Sequence, residues 1–275
     1  MKSRFLLVVI VLVACTGLLL AQNVTQVVGQ SGMVDWSSQI VRSTGIGSPN
    51  PNMPPTAQRA GAIEAAKLAA LRNLLSTVQG VSITSETTVR DFMLESDVIN
   101  TRVKGAIRGY TVVDTKYMSS GDIEVTVEVP LTGVLTDVLL PGYTGQSIST
   151  SYSTTESAAP RSGAYTGLII DARGLGIRPA MAPKILDEND EEIYGSRFVS
   201  RDWAVKIGMV GYDKDINKAA TNERVTNNPL IVKAIKVSGP NKADVVVADA
   251  SAQAIRNAAQ TQNFLDKCKV MFIVD

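Results

Sequence analysis

From Thr56 to Val78 the chain runs TAQRAGAIEAAKLAALRNLLSTV, with strong helix formers at almost every position and no internal proline. Wound at about 100° per residue, Ala62, Ala66, Ala69 and Ala70 fall on one smooth face. Ile63, Leu71, Leu74, Leu75 and Val78 form a bulky face roughly opposite. Two apolar faces predict a buried helix, its alanine side against a sheet and its leucine side under a second layer. Pro55 and Thr56 supply the start, and Gln79-Gly80 the stop.

Around this helix the pattern changes period. Ile123, Val125, Val127 and Val129 alternate with Asp122, Glu124, Thr126 and Glu128, which predicts a strand with one wet face. Ile107 to Met118 precedes it, and Ser119-Ser120-Gly121-Asp122 is turn chemistry that joins the two as a hairpin. A polar lead, Gln22 to Gly32, is followed by a strand from Met33 to Gly47. A proline-rich loop, Ser48 to Pro55, then leads into the helix. Val81 to Thr84 reads as a short strand, Val89 to Lys104 as a second helix, and Leu131 to Leu140 as a closing helix before Pro141-Gly142.

Residues 143–162, which include GQSISTSYSTTESAAPRS, are poor in large apolar side chains and read as a Ser/Thr-rich linker. Beyond it Leu168-Ile169-Ile170 is apolar on both parities, as in a central strand. Lys184–Leu186 and Glu192–Tyr194 flank a polar hairpin tip, Asp187 to Glu191. Leu230 to Val237 and Asp244 to Ala248 are strands around Gly239-Pro240-Asn241. Asp249 caps a helix running to Phe264, and Lys269 to Val274 is a last buried strand. Strands and helices mix without a βαβ rhythm, so the class is α+β. Two small domains are expected, 33–142 and 163–275, each a mixed or antiparallel sheet packed by helices.

Composition narrows the chemistry. The chain holds 27 Lys and Arg against 26 Asp and Glu, net +1, with the cations unclustered, so a nucleic-acid footprint is missing. There is no histidine, which removes Ser-His-Asp and Cys-His catalysis and most zinc sites. Residues 1–21 read as an export signal, with Lys2 and Arg4 before the apolar run Phe5 to Leu20. A retained anchor is the alternative, though Thr16-Gly17 interrupts a run already short for a span. Leu12-Val13-Ala14-Cys15 makes Cys15 the candidate lipidation site, and Ala21 is the candidate cleavage residue for a soluble product. Downstream only Cys268 remains, read as a small buried residue with no histidine to activate it.

Other fragments carry little. Asp213, Asp215 and Asn217 open like a calcium loop, but Lys218 and Arg224 stand where glycine and a bidentate carboxylate are required. The acids Asp187, Glu188, Asp190, Glu191 and Glu192 read as a solvated hairpin tip. Gly45-x-Gly47 and Gly174-x-Gly176 lack a strand–glycine–helix setting for phosphate. Glu64 and Lys67 read as an ion pair three residues apart. No catalytic, cofactor or metal residue is assigned.

The run from Trp36 to Leu131 resembles the lipoprotein-20 family and the N-terminal domain of the flagellar assembly protein T. The resemblance rests on Trp36 before Gly45-x-Gly47, the ladder Ala62, Ala66, Ala69, Ala70 with Leu74, Gly80-Val81, and Thr101-Arg102 before Gly105. Ile107, Tyr110–Val113 and the valine alternation to Val129 complete it. It implies an exported, non-enzymatic protein of the bacterial envelope, in the periplasm or on the periplasmic face of the outer membrane. Such a protein would be a structural or assembly component, with envelope or flagellar proteins or further copies of itself as partners. The alternative is a binding module for peptidoglycan or another envelope ligand. Its reader would be residues 163–275, with Trp203, Tyr212 and Tyr194 the aromatics to test.

Overall fold

The computed structural model describes residues 23–140 and 165–275. The expected export signal, with Cys15 and Ala21, and the Ser/Thr-rich segment lie outside the described residues.

The first domain contains β1 (Thr25–Val28), β2 (Gly32–Asp35), β3 (Ile40–Gly47), α1 (Pro55–Gln79), α2 (Val89–Glu95), α3 (Asp97–Ile107), β4 (Thr111–Tyr117), β5 (Ile123–Pro130) and α4 (Val134–Leu139). Its five strands form an antiparallel sheet in the order β1-β2-β3-β5-β4. The polar lead is therefore partly a strand. The expected strand 33–47 is two, because Asp35-Trp36-Ser37-Ser38 turns, with the Ser38 N–H donating to Asp35 Oδ1 (3.0 Å). Gln39 follows at φ 55°.

Helix α1 lies across β3 and β5, and its closeness to β3 is set by glycine. A Cβ on Gly45 would sit 2.1 Å from the Ala70 nitrogen, and one on Gly47 2.2 Å from the Ala62 oxygen. Glycine on the strand and alanine on the helix let the two backbones touch. Ala62, Ala66, Ala70, Leu74 and Val78 are buried as expected. The helix is not enclosed, however. Ile63, Leu71 and Leu75 are half-buried, and Glu64, Leu68, Arg72 and Ser76 form an exposed strip. The Glu64–Lys67 pair closes at 2.8 Å on that open side.

The second helix of the pattern is broken at Ser96 (φ −148°, ψ 118°). Its hydroxyl caps α3 by accepting from the Ile99 N–H, while Thr88 and Asp91 form a capping box on α2. Ile107 ends α3 instead of opening β4, and the closing helix α4 starts at Val134, after Gly133.

The second domain contains β6 (Gly167–Asp171), β7 (Ile185–Leu186), β8 (Glu192–Tyr194), α5 (Arg201–Ile207), β9 (Gly211–Asp213), α6 (Ile216–Ala220), β10 (Pro229–Ser238), β11 (Asp244–Val247), α7 (Asp249–Thr261) and β12 (Val270–Ile273). Its seven strands take the order β8-β7-β11-β10-β6-β12-β9. β10, β6, β12 and β9 run parallel, whereas β10–β11 and β7–β8 are antiparallel hairpins. The parallel block explains the unbroken apolar runs of β6 and β12, buried on both faces. The architecture is α+β with two domains, the first built around one alanine-rich helix.

Asp249 is not the cap of α7, since Ala248 holds that position. Its carboxylate instead accepts from the Glu188 N–H (3.2 Å), and the Glu188 carboxylate accepts from the Asp249 N–H (3.1 Å).

Candidate functional site

The feature that most distinguishes the molecule is the seam between its domains, built from short segments on each side. The turn after β2 places Trp36, 2% exposed, edge-on to Tyr212 with ring centroids 5.6 Å apart. Tyr212 stands edge-on in turn to Phe272 at 5.8 Å. The same turn donates from Ser37 Oγ to the Tyr212 carbonyl (3.0 Å) and from Gln39 Nε2 to the Val210 carbonyl (2.8 Å). Gly208, at φ +75°, has room for Gln39 only because it lacks a side chain: a Cβ there would meet Gln39 Nε2 at 2.6 Å.

A second contact uses Val81 to Thr88. The strand expected there forms only the bridge Ser82–Thr88 within its own domain. Its extended backbone pairs across the seam instead. The Ser82 and Ile83 carbonyls accept from the Met181 and Ala182 N–H groups (3.0 and 2.7 Å), and the Ser85 carbonyl from the Asn241 N–H (2.8 Å). Ser85 Oγ donates to the Asp244 carboxylate, which also accepts from the Lys184 N–H (2.8 Å). Burial raises the Asp244 pKa above the ordinary carboxylate value, against these hydrogen bonds. Gly239, at φ +79°, lies directly under Ser85.

A third contact joins α4 to α5. Arg201 donates from Nε and Nη2 to Asp137 Oδ1 (3.2 and 2.8 Å) and from Nη1 to the Leu140 carbonyl (2.6 Å), closing the C-terminal end of α4. One hydrophobic core runs through the seam, from Leu74 and Val125 to Tyr212 and Phe272.

Two open clefts border the seam, each of about 590 Å³. One is lined by Trp203, with Lys206 Nζ over its ring at 5.4 Å, together with Ser38, Asn222 and Glu223. The other is strongly polar, lined by Glu86, Lys184, Glu191, Glu192 and Arg197 among others.

Of the three aromatics singled out from the sequence, only Trp203 is half-exposed beside a cleft. Tyr194 and Tyr212 are buried, their hydroxyls donating to the Met209 and Ala180 carbonyls (2.6 and 2.8 Å). Cys268 is buried in a tight turn at φ 54°, and burial pushes its thiol up to about 12. That is the reverse of a reactive thiol.

Arg224, standing where a calcium loop would need a carboxylate, is a half-buried structural cation. It donates to the carbonyls of Ile207, Gly208 (3.0 Å) and Cys268 (2.8 Å), holding the C-terminus of α5 to the turn before β12. Asp215 caps α6 by accepting from the Asn217 N–H (2.8 Å), and Asp213 pairs with Lys218 at 3.2 Å. The hairpin tip also corrects the reading of a purely solvated acidic cluster. Asp187 is buried and accepts from the N–H groups of Asn189 (3.0 Å) and Glu191 (2.9 Å) and from Arg256 Nη2 (2.7 Å). Among the described residues no group of three or more His, Cys, Asp or Glu is arranged to hold a metal ion. No described helix is long and apolar enough to cross a membrane.

The fold and the seam therefore define a two-domain α+β protein held as a single packed unit. Residues 41–130 match the LPP20 lipoprotein family model, which bears out the lipoprotein-20 resemblance read from Trp36 to Leu131. Residues 167–275 match a different one, the second domain of Treponema pallidum Tp0624. No curated protein matches the chain.

Sequence reasoning missed the seam residues Ser85, Arg201, Gly208 and Gly239.

Proposed function

We propose that the protein is a non-enzymatic structural component of the bacterial cell envelope, exported and held at the periplasmic face of the outer membrane or in the periplasm. The observation that carries the reading is the LPP20 lipoprotein match across residues 41–130. It is supported by an N-terminal sequence with an export pattern and the Cys15 lipidation motif. Domains with unrelated patterns, packed into one body with a shared core, suit a rigid part that presents surfaces to partners.

The test is chemical. Cells fed a lipid label should mark the wild-type protein, and Cys15→Ser should lose both the label and membrane association. Unlabelled wild-type protein that is nevertheless exported and cut after Ala21 would move the reading to a soluble periplasmic part. The flagellar version of the assembly role predicts impaired motility on deletion; normal motility with an intact envelope would remove it.

A second reading, a module for a cell-wall or sugar ligand, is favoured by one observation: the half-exposed Trp203 lines a cleft together with polar side chains. Stacking on a sugar face would use that ring. Sedimentation with purified cell wall should then carry the protein down and be lost in Trp203→Ala. Wild-type protein left in the supernatant ends this reading.

A further inference from the structure

The two clefts that border the seam differ in sign. The strongly polar one carries five carboxylates against two cations, Lys184 and Arg197. The one beside Trp203 holds Lys206, Lys218, Arg224 and Lys269 against Asp213 and Glu223. The chain as a whole is balanced at net +1, so this separation of charge belongs to the clefts and not to the composition.

The positive cleft keeps its excess after its internal ion pair is set aside. Lys218 is held by Asp213 at 3.2 Å. Lys206 stands over the Trp203 ring at 5.4 Å, and Arg224 rests on three carbonyl oxygens. Among the described residues neither of them, nor Lys269, meets a carboxylate within ion-pair distance. A ring and carbonyl dipoles accommodate a cation without cancelling its charge. The remaining acid of the cleft is Glu223, which is exposed and has no ion pair among the described residues.

The cations are also brought together by the fold. Arg224 donates to the Ile207, Gly208 (3.0 Å) and Cys268 (2.8 Å) carbonyls. Ile207 directly follows Lys206 and Cys268 directly precedes Lys269, so one guanidinium ties the two lysine-bearing segments to each other. Among the described residues no group accepts from Arg224 Nε. Glycine keeps that nitrogen uncrowded, since a Cβ on Gly211 would stand 2.9 Å from it. A concave site with three uncompensated cations focuses a positive potential on whatever enters.

We infer that this cleft binds a saccharide that carries an acid group, a carboxylate or a phosphate. The acid group would be met by Lys206, Lys269 and Arg224. The half-exposed indole of Trp203 offers apolar surface to the C–H face of a sugar ring, and Ser38 and Asn222 add uncharged polar groups suited to hydroxyls. The inference rests on the cell-wall reading of the Trp203 cleft and adds the sign of the ligand's charge, which that reading leaves open.

The experiment is titration calorimetry on the full chain in mild detergent, at low salt. The probes are a tetrasaccharide of galacturonic acid, the neutral tetrasaccharide of galactose, and inorganic phosphate alone. The uronate should bind, and more tightly than either control, with an affinity that falls as salt is added. Lys206→Gln and Lys269→Gln should each weaken it by about three- to tenfold. Glu223→Gln should tighten it by about twofold or more, because it removes the one unpaired acid of the cleft. A gain of affinity is a result that misfolding cannot produce. Uronate bound no better than the neutral tetrasaccharide would overturn the inference and leave the cell-wall reading standing. Phosphate bound as tightly as the uronate would overturn it in favour of a simple anion site. Affinity indifferent to all three variants would overturn it as well. So would failure of both saccharides to bind, in which case sedimentation with cell wall decides the reading separately.

Discussion

Gly45 shows how much of the molecule turns on single atoms. A Cβ there would lie 2.1 Å from the backbone of α1, so Gly45→Ala must push the helix away from β3 and should destabilise the protein by about 2–3 kcal/mol. Gly105 makes the contrast. It sits exposed inside α3, nothing lies within 4 Å of its would-be Cβ, and Gly105→Ala should stabilise by about 0.5–1 kcal/mol. Chemical denaturation of the two variants checks both signs. The sequence displayed the glycines and the alanines, and their match was readable as close packing. What it could not display was which of 21 glycines faced backbone. Gly208 and Gly239 lie in loops like many others, and their neighbours Gln39 and Ser85 are more than a hundred positions away. Cys268 is a simpler case: buried, with its thiol pushed up to about 12, it should stay unmodified by a thiol reagent at neutral pH until the protein is unfolded.

At the level of elements, the β7–β8 hairpin and the seam loop make opposite statements about pH. Burial acts to raise the Asp187 pKa, but hydrogen bonds from Arg256 and from the N–H groups of Glu191 and Asn189 outweigh it and leave the carboxyl below the usual range. Its contribution to stability is therefore complete above that range and lost as pH falls through the lowered value. Asp244 behaves the other way. Its pKa is raised by burial, so its contribution is complete below the usual range and is lost as pH rises through the raised value. Asp187→Asn should flatten the acid side of a plot of melting temperature against pH, and Asp244→Asn should remove the decline as pH rises above the ordinary carboxylate range. Asp187→Ala at neutral pH should cost about 2 kcal/mol, because it strips the hairpin tip and Arg256 of their shared acceptor. Element type was legible where one period ran long, as in α1 and β5. Breaks were less so. Ser96 splits a helix because its hydroxyl caps α3 better than it continues α2, and Gln39 turns the chain at positive φ without glycine. The segment after α1 was readable as extended, but its partner, the backbone of Met181 and Ala182, belongs to the other domain and could not be inferred from local pattern.

As a whole the molecule is two domains that match different family models, with one core between them. The sequence carries the two-domain organisation plainly, because alternation, helix and composition each change near the Ser/Thr-rich segment. It carries nothing of the seam, which depends on contacts between positions as distant as 36 and 212. Trp36→Ala removes the ring that joins the domains and should cost about 3–5 kcal/mol. By calorimetry it should split a single unfolding transition into two, whereas a wild type that already melts in two steps would mean the domains are independent. Function is legible only at the coarser level, because the family pattern consists of core positions that transmit fold, while any partner is met by surface residues. The central claim, that this rigid unit serves as a part of the envelope, is tested most directly by cross-linking in intact cells followed by fractionation. The account expects the protein in the outer-membrane or periplasmic fraction, joined to envelope proteins or to copies of itself; recovery from the cytosol without such cross-links would contradict it.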